Sequence, residues 1–307
     1  MKARKLVLII ADLLLLALVI VQGIAKARDG VKNFTFEDSP DQITIVTPAE
    51  TINLSCQDEK WFINDQKYPA NDYSVEAFVE SLSAIRALDK VASVNENNLN
   101  KYELVAGKKI TVEAKKEGKL LRSIEIGKSA SSASQSYITI DGGNSIYLAS
   151  GSLRTSFDTS IKSLRSNTIW SYDANTLSSI NIKKADGSEW GLTRIGAGDQ
   201  TSWTISIPDT EVDSEKAKNF LESLANLTAS NWYADDAKIE DLGGELFLTA
   251  KLGHTFETAT LEIYQIPAQS DEEEAVYYAK SSESPYIFEL SSYMAEKFNK
   301  NSEDVTK

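Results

Sequence analysis

The hydrophobic and polar positions divide the chain into one long apolar run and a remainder built from short alternating patterns. The run covers residues 6–25 and is interrupted chiefly by Asp12 and Gly23. About 20 helical residues cross a hydrocarbon core of about 30 Å. Basic side chains flank such spans on the cytoplasmic side, and Lys2, Arg4 and Lys5 precede this run. We therefore expect a cytoplasmic N-terminus over residues 1–5 and a single transmembrane anchor over residues 6–25.

A cleaved signal peptide is the alternative interpretation of this segment. Ala25-Lys26-Ala27 matches the small-x-small pattern of a cleavage site. The apolar run exceeds the roughly 7–15 residues of a signal peptide, which favours an anchor that is kept. Asp12 would then be a carboxylate inside the membrane, either tolerated near the cytoplasmic end or in contact with a polar partner.

An ordered series of similar residues indicates an internal duplication. Trp61 and Trp203 lie 142 positions apart, each in a short apolar strand pattern. The same offset relates further pairs: Phe78 and Phe220, Glu80 and Glu222, Ser81 and Ser223, Leu82 and Leu224, Ile85 and Leu227, Ala87 and Ala229. Fixed periods indicate repeated structural units. We predict two modules outside the cytoplasm, over residues 33–160 and 161–298, followed by a flexible tail over residues 299–307.

Each predicted module combines one amphipathic helix with several strands. Apolar residues at 3.6-residue spacing predict two helices. One begins near Asp72 or Ser74 and its pattern continues through Ile85; the other begins near Asp213 or Ser214 and continues through Leu227. Alternating patterns predict the strands: in module 1 residues 42–46, 51–56, 61–63, 109–115, 120–126, 137–140 and 145–149, and in module 2 residues 179–183, 190–195, 203–205, 245–251, 258–265, 275–279 and 286–290. We predict an α+β fold, in which a transmembrane helix precedes two antiparallel-sheet-plus-helix modules.

The negative net charge limits the classes of ligand that this chain is expected to bind. The chain carries a net charge of −13, and residues 33–307 hold 26 basic and 43 acidic side chains, a net of −17. Such a domain repels phosphate backbones, so we exclude nucleic acid as a partner. Cys56 is the single cysteine and is interpreted as a buried structural thiol.

Three sequence features resemble catalytic, phosphate-binding or metal-binding motifs, but each lacks residues that the motif needs. Gly127-Lys128-Ser129 resembles the end of a phosphate-binding loop, but Arg122 occupies the upstream glycine position. Gly196-x-Gly198 lacks a third glycine. His254 is the only histidine, which excludes a zinc site with several imidazoles, and we interpret it as an exposed hairpin residue.

Clustered carboxylates and the repeated tryptophans have structural interpretations. Residues 235–236, 240–241 and 271–274 are acidic but lack the alternating oxygen ligands of a calcium loop, so they predict a solvated face. Trp61 and Trp203 are interpreted as core residues, with a ligand platform as the alternative. The sequence predicts no catalytic, cofactor-binding or metal-binding residue, no cofactor and no enzymatic activity.

Several motifs occur in a recognisable order: a Trp strand, a turn with Pro and Asp, a helix with Phe and Leu, Tyr102-Glu103-Leu104, LRSIEIG over residues 121–127, and the linker over residues 164–173. This order, over residues 33–298, resembles the bacterial domain-of-unknown-function family 4340. The resemblance implies an envelope protein associated with ABC-type export or gliding-motility-like membrane complexes. It supplies no catalytic residue.

Two functions are compatible with these patterns. The first is a non-enzymatic accessory or scaffold subunit of an ABC-type transporter or related complex, held in the inner membrane with its main domain periplasmic and bound to a membrane-protein partner. The second is an extracytoplasmic module that binds a glycan, peptide or small solute in a cleft between the modules. The anchor and the duplicated scaffold favour the first.

Overall fold

The computed structural model describes residues 15–19, 30–196, 201–255, 257–268 and 274–307. The chain divides between Ser166 and Asn167 into two compact units, beyond the predicted boundary at residues 160/161. Unit 1 denotes the residues up to Ser166, and unit 2 denotes Asn167–Lys307.

Unit 1 is built on one ten-stranded antiparallel sheet. Its spatial order is β1-β6-β10-β9-β8-β7-β2-β3-β4-β5. The strands are β1 Lys32–Thr35, β2 Gln42–Val46, β3 Thr51–Gln57, β4 Lys60–Ile63, β5 Tyr68–Pro69, β6 Ala84–Ser93, β7 Ile110–Lys116, β8 Lys119–Ser129, β9 Gln135–Ile140 and β10 Ser145–Ser150.

In the described part of unit 1 from residue 30 onward, one long helix and three short helices accompany this sheet. They are α1 Asp72–Ser83, α2 Glu96–Lys101, α3 Leu153–Phe157 and α4 Ile161–Leu164. The Asn71 side chain accepts a hydrogen bond from the backbone of Ser74 and so caps α1. Val75, Phe78 and Leu82 lie on the buried side of α1 and join the apolar strand residues in one core. Phe78 also stacks on Phe157 at 4.8 Å.

Unit 2 contains an eight-stranded antiparallel sheet and a separate strand pair. The large sheet has the order β14-β13-β12-β17-β18-β19-β20-β16, and β11 pairs with β15. The strands are β11 Thr168–Ser171, β12 Leu177–Lys184, β13 Glu189–Ile195, β14 Ser202–Ile205, β15 Asn226–Thr228, β16 Asn231–Trp232, β17 Glu245–His254, β18 Glu257–Ile266, β19 Val276–Ser281 and β20 Ser284–Leu290.

The helices of unit 2 also cover an apolar core. They are α5 Ser214–Ser223, α6 Ile239–Leu242 and α7 Ser292–Phe298, with 3-10 turns at Ala174–Thr176 and Ser302–Val305. Asp213 caps α5 by accepting from the backbone of Glu215 and Lys216. Ala217 and Leu221 of α5 are buried against the strands.

The two units share one strand order. Within unit 1, β4-β3-β2-β7-β8-β9-β10-β6 run side by side, and β14-β13-β12-β17-β18-β19-β20-β16 follow the same sequence of neighbours in unit 2. The long strand β6 corresponds to the two short strands β15 and β16. The two orders differ at both ends. β5 continues the first sheet beyond β4, and β1 continues it beyond β6, whereas in unit 2 β11 pairs with β15 outside the large sheet.

The predicted fold class is wrong, because extended antiparallel sheets of ten and eight strands dominate the described residues. The main error lies after α1. The helical pattern predicted there extends through Ile85, yet the chain turns at Ala84 into the ten-residue strand β6, which joins β1 to β10. Among the described residues, no helix has the length and apolar character needed to cross a membrane. The predicted anchor lies outside these residues except for 15–19.

Residues 299–307, predicted as a flexible tail, pack on unit 2. Val305 is fully buried in the core, and its carbonyl accepts the backbone N–H of Asp213 at 2.9 Å. The carbonyl of Lys300 accepts the indole N–H of Trp190 at 3.0 Å. A single apolar residue among polar ones gave too weak a pattern to predict this segment.

Candidate functional site

Strand β14 forms an end of the eight-stranded sheet. It pairs on one side with β13, where Thr193 lies opposite Thr204 and Arg194 opposite Trp203. The backbone N–H of Ser206 donates to Gly191 at 2.9 Å. Because hydrogen-bonded and non-hydrogen-bonded pairs alternate along an antiparallel ladder, Trp203 and Ile205 direct their N–H and C=O groups away from β13. Within the described residues, these groups have no hydrogen-bond partner.

In unit 1 the corresponding edge is covered. β5 pairs with β4, with Pro69 opposite Phe62 and Tyr68 opposite Ile63. The carbonyl of Trp61, the counterpart of Trp203, accepts the N–H of Ala70 at 2.9 Å. In unit 1 the outward backbone groups of β4 therefore have hydrogen-bond partners in the same chain, as buried backbone polar groups and sheet edges require.

In unit 2 the segment that corresponds to β5, within residues 207–212, does not pair with the edge strand β14. An open cleft of about 540 Å³ lies between them, lined by Trp203, Thr204, Ile205 and residues 207–212. We call it the edge cleft. Beyond it, Val212 bridges to Thr306 as Ala70 bridges to Arg165 in unit 1. The far side of the segment is thus held in the same way in both units, and only its contact with the edge strand is missing.

A proline accounts for the difference. In unit 1 the N–H of Lys67 donates to the Asn64 carbonyl at 3.1 Å, and neither Asp65 nor Gln66 between them has a positive φ. This is the pattern of a type I turn, which disfavours proline at its third residue, because proline forces the preceding residue out of the helical region. Pro208 occupies the position of Gln66, at the common offset of 142.

The rim of the edge cleft is acidic. Asp209 and Glu211 line it. The ammonium group of Lys307 forms an ion pair with Glu211, whereas Asp209 has no ion-pair partner within the described ranges. Thr210 stands at the position of Tyr68, so the edge cleft lacks the aromatic side chain that packs beside β4 in unit 1.

His254 lies elsewhere in unit 2 and is buried, at 8% exposure, whereas the sequence pattern predicted an exposed hairpin residue. Its ring stacks on Tyr172 with centroids 3.9 Å apart, and Tyr172 stacks in turn on Trp170. The Tyr172 hydroxyl and His254 Nε2 are buried and have no hydrogen-bond partner among the described atoms. Burial, together with the nearby Glu283 carboxylate, raises the pKa of Tyr172.

A second aromatic group on unit 2, around Tyr264 and Tyr278, forms hydrogen bonds and an ion pair among its own side chains. Tyr264 donates to Glu262 at 2.7 Å and stacks on Tyr278, and Lys280 lies 2.8 Å from the same carboxylate. Burial raises the pKa of Glu262, but the hydrogen bonds from Lys280 and Tyr264 outweigh it and hold that pKa below its usual value. The polar groups of Glu262, Tyr264 and Lys280 therefore have partners within unit 2, so we do not select them as a candidate site.

The other sequence motifs have structural positions. Trp61 and Trp203 pack partly buried against their respective cores, and Trp203 also lines the edge cleft. Gly127 lies inside β8, where a Cβ atom would come 2.1 Å from the Tyr102 carbonyl oxygen, so it is a close-packing glycine. Cys56 is half-buried in β3.

The acidic residues 235–236 and 240–241 are exposed on unit 2. Among the described residues, no group of three or more His, Cys, Asp or Glu side chains is arranged to hold a metal ion. Asp12, Gly198 and residues 271–273 lie outside the described residues. Sequence reasoning missed the edge cleft because the turn with Pro and Asp that follows each Trp strand, at residues 68–72 and 208–210, has the same pattern in both modules.

Comparison with known proteins gives one match. No curated protein and no solved structure matches the chain significantly. The family model described as "Domain of unknown function (DUF4340)" matches residues 61–244, which is more than half of the chain and includes β14, the edge cleft and all of β4 but its first residue. The chain therefore belongs to the DUF4340 family.

Proposed function

We propose that this protein is a non-enzymatic scaffold subunit of a membrane complex, with both β-sheet units outside the cytoplasm, and that it binds a partner protein through unit 2. The open edge of β14 carries this proposal. Unpaired strand edges are templates for association with another chain, and native proteins normally cover or blunt them. Unit 1 covers its corresponding edge with β5, and unit 2 leaves the edge cleft open.

The sequence supports the membrane setting. The apolar run over residues 6–25 follows three basic residues, as expected for a protein held at the inner membrane with its main part in the periplasm. The resemblance to family 4340 associates such proteins with ABC-type transporters and related complexes. A glycan-, peptide- or solute-binding module stays the alternative prediction.

Site-specific photo-cross-linking in membranes tests the proposal. A photoreactive residue replaces Thr204, which is exposed on β14, and a matched control carries it at Asp186, which is exposed in the β12–β13 hairpin of the same unit. We expect one discrete adduct with a membrane-fraction protein from position 204 and none from position 186. Equal labelling at both positions, or none at position 204, would contradict the proposal.

A further inference from the structure

The open edge differs from its counterpart by the loss of one short strand. In unit 1 that strand is Tyr68–Pro69, which lies antiparallel to β4. In unit 2 the outward N–H and C=O groups of Trp203 and Ile205 face the edge cleft instead. The molecule thus contains both an occupied and an unoccupied form of the same edge.

Strand addition would satisfy the unpaired groups. An extended peptide placed antiparallel to β14 forms the hydrogen bonds that β5 forms with β4, and main-chain pairing of this kind supplies affinity while side-chain pockets supply specificity. The segment Glu211–Val212 does not compete for the position, because Pro208 prevents the turn that would fold it back onto β14.

The side chains around the edge cleft indicate the character of the occupant. The small Thr210 replaces Tyr68, which leaves space beside Trp203 and Ile205 for an aromatic or proline side chain. Asp209 on the rim has no ion-pair partner within the described ranges, so it favours a basic residue.

A second copy of the chain fits the edge less well. Two edges that met symmetrically would bring Asp209 and Glu211 close to the same acidic residues of the other copy. Each copy also carries a net charge of −17 over residues 33–307. Like charges across an interface oppose association, which favours a basic partner of different sequence.

We propose that the β14 edge is a strand-addition site for an extended segment of a partner protein that carries an aromatic residue and a basic residue. This inference rests on the proposed scaffold function and deepens it. The segment of unit 1 that covers β4, Gln66-Lys67-Tyr68-Pro69-Ala70-Asn71, is a ready surrogate, because it has this composition and a known position on the corresponding strand.

Hydrogen exchange on the full-length protein in detergent, with this synthetic hexapeptide as the probe, tests the site. We expect saturable slowing of exchange at the amides of Trp203 and Ile205, by roughly tenfold or more at saturation. The exchange of β4 is unchanged. An Asp186→Asn variant, altered in an exposed hairpin of the same unit, keeps the effect.

The double variant Ile207→Asp/Pro208→Gln restores the turn residues of unit 1 and closes the edge from within. We expect its residues 203–205 to be protected without the probe and to show no further change when the probe is added. Asp209→Asn, which the left-handed backbone at this position tolerates (φ 55°), weakens binding about two- to threefold. A probe with Gln in place of Lys67 is insensitive to this change.

Three results overturn the inference: no probe-dependent protection of β14, unchanged probe binding in the double variant, and protection of β14 in the probe-free wild type. The third would show that another segment of this chain or a second copy already occupies the edge, and sedimentation distinguishes these two. Cross-linking at position 204 without probe binding overturns strand addition alone. Probe binding without any cross-link in membranes overturns the scaffold function.

Discussion

At the scale of single residues, Gly127 lies at a point in unit 1 where two backbone segments pass close to each other. Gly127 resembled part of a phosphate-binding loop in the sequence, yet it lies near the C-terminal end of β8 against the Tyr102 carbonyl, which also accepts the N–H of Lys128 at 3.0 Å. Its role follows from the absence of a side chain, because a Cβ atom at 2.1 Å from that carbonyl would displace backbone.

We expect Gly127→Ala to destabilise unit 1 by about 1–3 kcal/mol, the usual cost of overpacking a rigid region. Urea denaturation measures the change. Gly191→Ala is the matched control, since it also lies in a strand but its Cβ atom would meet nothing closer than 3.4 Å. Equal stability of the two variants would refute the packing role.

Tyr172, which stacks on both Trp170 and His254, gives unit 2 a pH dependence. A raised pKa in the folded state means that Tyr172 keeps its proton in the fold at pH values where the unfolded chain, with a tyrosine pKa near 10, has lost it. The contribution of Tyr172 to the free energy of unfolding is therefore fully present below pH 10 and decreases as the pH rises above 10. Burial raises the pKa of Tyr233, Tyr264 and Tyr277 in the same direction.

We expect Tyr172→Phe to reduce this alkaline loss of stability and to leave the protein at neutral pH as stable as wild type or more stable. The reason is that burial is the largest cause of the raised pKa of Tyr172, ahead of the Glu283 carboxylate, and the hydroxyl makes no close hydrogen bond among the described atoms. Its removal therefore relieves a desolvation cost. Thermal unfolding at pH 7 and pH 10.5 measures both effects. A marked loss at pH 7 would indicate that the hydroxyl makes a needed contact.

At the scale of elements, the turn after the Trp strand decides whether a sheet edge is covered. Asp65 and Gln66 allow the turn that positions β5, whereas Ile207 and Pro208 do not. We expect Asp65→Ile/Gln66→Pro to release β5 from β4 and to cost about 1–3 kcal/mol. Hydrogen exchange at residues 61–63 should accelerate, and unchanged protection there would disprove the role of the turn.

The C-terminal segment is a second element whose role is structural. Removal of residues 299–307 takes away the buried Val305 and the acceptor of the Trp190 indole N–H. We expect loss of protection in β12 and β13, and no change in β2 and β3. Unaltered exchange in β12 and β13 would mean that the segment contributes nothing to unit 2.

Alternation along the chain predicted most strands correctly, including Gln42–Val46, because their inward positions are apolar and most of their outward positions are polar. β6 was missed because the helical spacing of α1 continues through Ile85. The burial of His254 and the open edge depend on contacts between distant residues and on one proline. Neither property is visible in a local pattern.

At the scale of the whole molecule, two units with the same strand order differ in what they expose. Unit 1 closes its sheet with β5, and unit 2 ends at β14 beside an acidic cleft. Two units of the same strand order, one with a covered edge and one with an open edge, would suit the binding of one partner through a defined surface, as proposed for this member of the DUF4340 family.

The most direct test compares the two edges in the full-length protein without any ligand, by hydrogen exchange resolved to single amides. We predict that the amides of Trp203 and Ile205 exchange at least about tenfold faster than the amide of Ile63, the counterpart of Ile205 in β4. Equal protection of β14 and β4 would contradict the account, because it would mean that the edge of unit 2 is already covered.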